Sequence, residues 1–299
     1  MYLVTGAGGG VGSVSRRVVE LLLDDGEHVR AMVHRDDERA DQLRALGAEV
    51  VVGDLTRAGD IVVAMQGASR MFFNMSVSDE YLLATTEVCA VALEAGTPNA
   101  IVNMSQMTVS QMTLTSTGES HHQRLHWLAE HVLNWSGLPV IHVRPTAFLD
   151  NPLFTILAAP TIRDRAALVL PFGTGHTSPI AAADVARVVA ALLHDPADHI
   201  GHVYELTGPE VLDIDGLAKQ YTRGLGRPVT GEDVPYDEWQ RKVLAPIGLP
   251  EHVQQHIATM ARLHREDRYN RATDDVEQIT GRPAQTVEQY VASNRDLFY

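Results

Sequence analysis

The chain has 299 residues, 45% of them apolar and 21% charged, which suits one large globular domain or two ordinary ones. A formal net charge of −14 argues against nucleic acid or an anionic membrane surface as the main partner. The single cysteine, Cys89, excludes an internal disulfide and a thiolate metal cluster, and no apolar run reaches the roughly 18 residues of a membrane span.

Met1 leads straight into the apolar run MYLVT, which reads as a buried strand, and with no leader pattern before it a cytoplasmic protein is expected. Val14 to Leu23 has helical spacing, HVRAMVH is a second strand, and DERADQLRALG is a helix closed by Gly47. AEVVVGD, SRMFFNM and NAIVNMS follow as strands, separated by helices at Asp60 to Met65 and Leu82 to Glu94. A polar loop, Gln106 to Ser120, leads to a helix at His121 to Asn134 and a sixth strand, LPVIHVRP. Such alternation predicts an α/β fold, a doubly wound parallel sheet with helices on both faces. Beyond it, proline and glycine turns become frequent. Helices are expected at Ala182 to His194, Asp215 to Leu225, Asp237 to Leu244, Val253 to Arg265 and Val287 to Asn294, with one strand at HVYELTG. Residues 1–150 thus form the main domain. Residues 151–299 form a smaller C-terminal α/β lobe, some of whose segments return to the main sheet.

The first strand-to-helix turn reads TGAGGGVGS, with Gly6, Gly9 and Gly12 three apart. In that context the pattern is a dinucleotide-binding turn: the first glycine makes the turn, the middle one lets the backbone approach a pyrophosphate, and the last allows close helix packing. The anion sits at the helix N-terminus, so Gly6, Gly9, Gly10, Val11 and Gly12 are assigned to the cofactor. The second strand ends His34-Arg35-Asp36-Asp37. Arg35, with Arg16 as a second contact, favours the 2′-phosphate of NADP, while the two aspartates offer carboxylates to a ribose and leave NAD open. Asp54 and Leu55 should flank the adenine, and Asn74 should face the middle of the cofactor. No flavin signature is seen.

Taken in order, TGAGGGVG, VHRDDERADQLRALGAEVVVGDL, VNMSQ, HWLAEHVLNWSGLPVIHVRPTAF, SPIAAADVA and YELTGPE resemble the NmrA-like branch of the atypical short-chain dehydrogenase/reductases over nearly the whole chain. The resemblance implies a Rossmann domain, a small C-terminal lobe and a substrate cleft between them. The branch holds quinone reductases, isoflavone-reductase-like enzymes, tailoring enzymes of aromatic secondary metabolism and redox-sensing regulators.

Ordinary short-chain dehydrogenases use Tyr-x-x-x-Lys on the helix after the fifth strand, where the lysine lowers the tyrosine pKa. The only lysines here are Lys219 and Lys242; Asp215 and Glu238 stand four residues before them, and HHQRLHWLAEHVLNW contains neither tyrosine nor lysine. In its place His122, His126 and Glu130 stand at i, i+4 and i+8 on one side of a helix. In isoflavone-reductase-like relatives a catalytic lysine precedes the helix glutamate by eight residues, which falls on His122. His122 or His126 is therefore the expected proton donor, oriented by Glu130; simple packing of a histidine-rich helix end is the alternative. Zinc is not expected, since no glutamate follows the first histidine of the i, i+4 pair. Ser105 should reach a substrate oxygen at the end of the fifth strand. Met107, Arg144, Thr146, Phe148, Asn151 and Phe172 should build a wall for a flat aromatic substrate, with Phe154 beside them and Met104, Thr108, Met112 and Thr113 nearby. Asp184 is read as a structural helix anchor.

Two functions follow. One is an NAD(P)H-dependent oxidoreductase of a flat aromatic or quinoid compound, including a flavin-independent hydroxylase in which the reduced ring reacts with oxygen. The other is a non-catalytic NAD(P)-sensing regulator.

Overall fold

The computed structural model describes residues 1–9 and 11–299. Its strands are β1 (Tyr2–Val4), β2 (Val29–Val33), β3 (Glu49–Val52), β4 (Arg70–Phe73), β5 (Ile101–Met104), β6 (Val140–Pro145), β7 (Ala167–Leu170), β8 (Val203–Leu206) and β9 (Thr230–Asp233). The helices are α1 (Val14–Asp24), α2 (Glu38–Ala45), α3 (Ala58–Met65), α4 (Tyr81–Ala95), α5 (His121–Ser136), α6 (Ala159–Arg165), α7 (Ala182–His194), α8 (Ile214–Leu225), α9 (Tyr236–Trp239), α10 (Glu251–Arg265), α11 (Asp275–Thr280) and α12 (Val287–Ser293).

Seven strands form one sheet in the order β3-β2-β1-β4-β5-β6-β8, every pairing parallel. The inner strands are continuous apolar runs because helices cover both of their sides. Val18, Val19 and Leu22 of α1 pack with Val185, Val188 and Val189 of α7 on one face. Ile61 of α3, Val88 of α4, and Leu125, Ala129 and Leu133 of α5 fill the other. Strand order reverses at β1 and β4, so a crevice opens beyond their carboxyl ends, where doubly wound folds bind ligands.

The second half contributes β8 and α7 to this sheet and builds a third core of its own around Phe154, Phe172, Tyr221, Trp239 and Phe298. That lobe holds a two-stranded parallel sheet of β7 and β9, which the sequence pattern had left unassigned. Two helices, α6 and α11, were likewise not expected. The segment expected as one helix at Asp237 to Leu244 is α9 followed by a wider-wound turn, Gln240–Leu244. The loop behind β5 is less exposed than its polar composition suggests: Met107, Thr108 and Val109 are buried in a short 3₁₀ turn.

Candidate active site

Two positions of the glycine turn show why glycine stands there. Gly6 has φ +68, and a Cβ on it would lie 2.7 Å from the carbonyl oxygen of Asn74. The Thr5 hydroxyl donates to that same carbonyl at 2.7 Å, which locks the ends of β1 and β4 together. Gly12 has φ +64, and its Cβ would lie 2.3 Å from the Cβ of Ala182. The start of α1 is thereby pressed against the start of α7, whose Ala182 amide donates to Asp150 at 2.9 Å. Val11 opens the one-turn helix leading into α1. Gly10 lies outside the described residues.

A groove of about 430 Å³ runs over this turn, lined by Gly6, Gly9, Arg35, Arg39, Asp54 and Leu55 among others. Asp54 accepts from the Thr56 amide and hydroxyl at 2.9 and 2.8 Å, bonds that hold its carboxyl below the usual range. Both aspartates after Arg35 are paired with arginines of α2, Asp36 with Arg44 and Asp37 with Arg39. Asp36 pairs with Arg44 at 2.7 Å, and Asp37 caps α2 by accepting from the Arg39 amide at 3.0 Å. Arg39, which sequence reasoning passed over, stretches back across the turn: a Cβ on Gly9 would sit 3.0 Å from its Nη1. Arg16 points away, to Glu20 at 3.0 Å and Gln42 at 2.6 Å. Asn74 borders the crevice, but its side-chain amide donates to the Ser15 hydroxyl at 2.9 Å.

Gly9, Met75 and Ser76 also border a second cleft of about 330 Å³, which continues the groove past the ends of β4, β5 and β6. Ser105, His122, His126, Met107, Thr146, Phe148 and Asn151 all line it. α5 presents its two histidines there because a reciprocal cap fixes its start: Ser120 Oγ accepts from the Gln123 amide and Gln123 Oε1 accepts from the Ser120 amide, at 3.2 and 2.8 Å. Leu125, Ala129 and Leu133 then face the sheet, and His122 and His126 turn to the cleft, their Nε2 atoms 3.0 Å apart. Asn151 spends its Oδ1 on the Leu153 amide at 2.9 Å, so it shapes the wall as a turn residue.

Glu130 does not orient the histidines. Its carboxylate lies behind Ser105, whose hydroxyl donates to it, and holds Arg144 through two bonds at 2.9 and 2.5 Å. Burial alone would raise the Glu130 carboxyl; the guanidinium outweighs it and keeps the group ionised. Arg144 is thus consumed by an internal ion pair and does not line the cleft as a substrate contact.

Phe172 is also displaced from the expected wall. It stacks on His264 at 4.2 Å, and His264 stacks on Tyr269 at 3.9 Å, so Tyr269 is the ring that borders the cleft and Phe172 stands two rings behind. Phe154 packs against Phe172 in the same core. The remaining wall comes from α10: Val253, His256, Ile257 and Met260. The helix was legible as amphipathic; which surface its apolar face covers was not. Asp184 is structural, bonded to Arg187 at 2.6 Å and to the Gln285 amide at 2.7 Å.

The cleft is electrically quiet. Burial pushes His126 down to about 3 and His256 to about 4, and it depresses His122, with His126 and His256 beside it, well below its ordinary value. All three imidazoles are neutral at pH 7. The His126 ring lies 4.1 Å from Tyr81, whose hydroxyl donates to the Met104 carbonyl at 3.0 Å, and the His122 ring lies 4.9 Å from His256. Three buried polar atoms of this lining, His122 Nδ1, His126 Nδ1 and Thr146 Oγ1, have no hydrogen-bond partner among the described residues.

A doubly wound sheet with a glycine-turn groove continuing into a second cleft is the architecture of a dinucleotide-binding protein class. The chain belongs to the NmrA-like family, whose model matches residues 2–295. It is 26% identical over 292 residues to an NAD(P)H azoreductase of Xenophilus azovorans, covering 97% of each chain. It is 28% identical over 298 residues to a (4-alkanoyl-5-oxo-2,5-dihydrofuran-3-yl)methyl phosphate reductase of Streptomyces griseus, covering 100% of this chain and 99% of that one. Among solved structures, the NADPH-dependent quinone oxidoreductase of Escherichia coli in complex with NADPH superposes with a TM-score of 0.83 at 22% identity, over 99% of this chain and 100% of that one.

Proposed function

We propose that the protein is an NAD(P)H-dependent reductase, with NADP its cofactor, acting on a flat conjugated acceptor of the quinoid class. The observation that carries this reading is the cleft that continues the glycine-turn groove, where Met104, Met107, Phe148, Met260 and Tyr269 stand beside polar side chains, Ser105, Gln106, Asn151 and His256 among them. An uncharged ring with polar substituents matches that mixed lining.

The groove fits the cofactor. Gly6 and Gly9 border the groove where a pyrophosphate would approach, and Asp54 and Leu55 stand where an adenine would lie. Arg35 borders the groove while Asp36 is paired with Arg44 and Asp37 with Arg39, which leaves Arg35 to favour a 2′-phosphate. When bound, the reduced nicotinamide supplies hydride. The chain's own residues then have two tasks: the methionines and Tyr269 exclude water and hold the ring flat, and the histidine pair provides the proton at an imidazole nitrogen. The curated relatives, reductases of an azo compound and of a furanone phosphate by their names, agree with reduction of conjugated acceptors.

A regulator that only senses NAD(P) would not need a second cleft. The deciding experiment is single-turnover oxidation of NADPH against a panel of benzoquinones, naphthoquinones, anthraquinones and azo dyes, with oxygen uptake recorded alongside. Oxidation that falls steeply in His126→Ala supports the reductase. Uptake of oxygen in step with NADPH identifies the hydroxylating variant. Tight NADPH binding with no acceptor turned over by any member of the panel gives the regulator.

A further inference from the structure

Val253, His256, Ile257 and Met260 stand at i, i+3, i+4 and i+7 of α10, one face of the helix, and all of them line the cleft. His256 is the polar member of that face. Its Nδ1 lies 2.9 Å from Ser120 Oγ, at the cap of α5. Ser120 is buried, and its hydroxyl oxygen already accepts from the Gln123 amide at 3.2 Å. Among the described residues the hydroxyl proton therefore has one acceptor within reach, His256 Nδ1. A neutral imidazole whose Nδ1 accepts carries its proton on Nε2.

That Nε2–H is the free end of the ring. It has no partner among the described residues and, unlike the Nδ1 atoms of His122 and His126, it is not enclosed by protein: His256 is half-buried in the cleft wall. Burial pushes its pKa down to about 4, so the ring is neutral at pH 7 and the tautomer set by Ser120 persists. His122 meets the ring edge-on at 4.9 Å. The Ser120 hydroxyl and the His122 ring, both at the start of α5, thus hold the plane of a side chain that belongs to the covering helix. The arrangement is a donor of fixed direction, built from two elements that meet only at the cleft.

Resting on the reductase reading above, we propose that His256 is a catalytic residue whose Nε2–H holds the acceptor's oxygen, and that Ser120 is the positioning residue that aims it. As the acceptor ring gains hydride from NAD(P)H, one C–H bond forms, the electron pair moves through the conjugated ring to a carbonyl oxygen, and that oxygen turns anionic. A donor already placed at the oxygen binds it more strongly as the charge develops and needs no reorganisation to do so. His256 keeps its proton throughout. Its Nδ1 is filled by the Ser120 hydroxyl, so giving up the Nε2 proton would leave an anionic ring in a buried place. The step balances as hydride plus acceptor giving the reduced anion, and the proton that neutralises the anion arrives separately.

Spectroscopy and kinetics on the full chain test this. Long-range proton–nitrogen NMR of ¹⁵N-histidine-labelled protein with NADP⁺ at pH 7, assigned through His256→Gln, should find His256 neutral and protonated on Nε2, and saturating naphthoquinone should move that Nε2–H downfield. An Nδ1–H tautomer, or an Nε2–H that the quinone leaves unmoved, would overturn the proposal. Ser120→Ala should let the Nδ1–H form appear and Ser120→Thr should not; an undiminished Nε2–H form in Ser120→Ala would overturn the role given to Ser120. In single-turnover reduction of the same quinone, His256→Phe keeps a ring against His122 and removes the donor. Its rate at saturating acceptor should fall at least about tenfold with NADPH affinity unchanged, and His256→Gln, whose amide can accept from Ser120 and donate to the cleft, should recover most of the loss. A wild-type rate in His256→Phe, or no recovery in His256→Gln, would overturn the proposal and leave the reductase reading intact. NADP⁺ cannot reduce the quinone, so the NMR result is read without turnover; failure of every acceptor to oxidise NADPH is a separate outcome that ends the reductase reading and the role of His256 with it.

Discussion

Arg144→Met is the substitution whose cost the structure specifies best. Arg144 and Glu130 make a two-bond pair with side-chain exposures of 18% and 5%. A solvent-exposed pair would be worth about 0–1 kcal/mol. Here the methionine replaces the guanidinium with a chain of similar length and leaves a buried carboxylate bonded only to the Ser105 hydroxyl. Removing one partner from a buried pair costs about 3–5 kcal/mol, which for a chain of this size lowers the melting midpoint by roughly 6–10 °C. The defect should depend on pH with a definite sign. In the wild type the Glu130 pKa is lowered, so the pair's stabilisation is complete above the unfolded carboxyl value and is lost as pH falls through the folded one. In the variant burial opposes only the Ser105 hydroxyl and His142, the carboxyl pKa rises, and protonation relieves the penalty as pH falls. Thermal melts followed by fluorescence at pH 7.5 and 5 should show the gap between wild type and variant narrowing at the lower pH. The double variant Arg144→Met/Glu130→Met should recover most of the loss. A drop of less than about 2 °C at pH 7.5, or a gap that widens in acid, would mean that this pair is solvated and the site's back wall is misread.

Three further outcomes follow from individual contacts. Gly12→Ala forces φ +64 on an L-residue and sets a Cβ 2.3 Å from that of Ala182, so it should cost at least the roughly 1–3 kcal/mol of a strained backbone and lower the melting midpoint, and an unchanged melt would contradict the α1–α7 approach. Arg35→Ala should weaken NADPH binding about tenfold by titration calorimetry, roughly 1.4 kcal/mol, and leave NADH unchanged; equal losses for both would show that Arg35 does not discriminate a 2′-phosphate. Because folding holds His126 at about 3 and His256 at about 4, below the ordinary 6.5, the unfolded chain takes up protons first, so urea midpoints should be flat above about pH 6.5 and decline from there toward pH 4. A midpoint unchanged between pH 7 and 5 would mean that these rings are solvated.

The first half of the fold was legible because its signals are local. Central parallel strands such as Met71 to Phe73 and Ile101 to Val102 are apolar on both sides, and the glycine turn carries its own backbone chemistry. β9 was not legible, since Thr-Gly-Glu-Asp has no strand character and extends only because Ala167–Leu170 offers it a ladder more than sixty residues away in sequence. The same limit applied within the site. The sequence shows that Glu130 shares a helix side with two histidines; it cannot show that Arg144, on a different element, claims the carboxylate first. It shows an apolar stripe on α10 but not the cleft that stripe covers. Phe172 illustrates the reverse: an aromatic residue near substrate-facing loops reads as wall until His264 and Tyr269 arrive from the far end of the chain and stack in front of it.

In the proposed reductase, two histidines in place of a tyrosine–lysine pair would change the electrostatics of proton delivery. A lysine works by charge, which must stay hydrated or paired, and it suits a substrate whose developing alkoxide can use that charge. In this chain the charges have been moved one layer back: Glu130 and Arg144 neutralise each other behind Ser105, and the rings that meet the cleft are kept neutral by burial. A neutral donor in a cleft walled by methionine and tyrosine imposes no desolvation cost on a large uncharged ring, whereas a cationic one would compete with the ring for water. Under the proposed reading, selectivity for flat neutral acceptors would come from the absence of net charge near them as much as from shape.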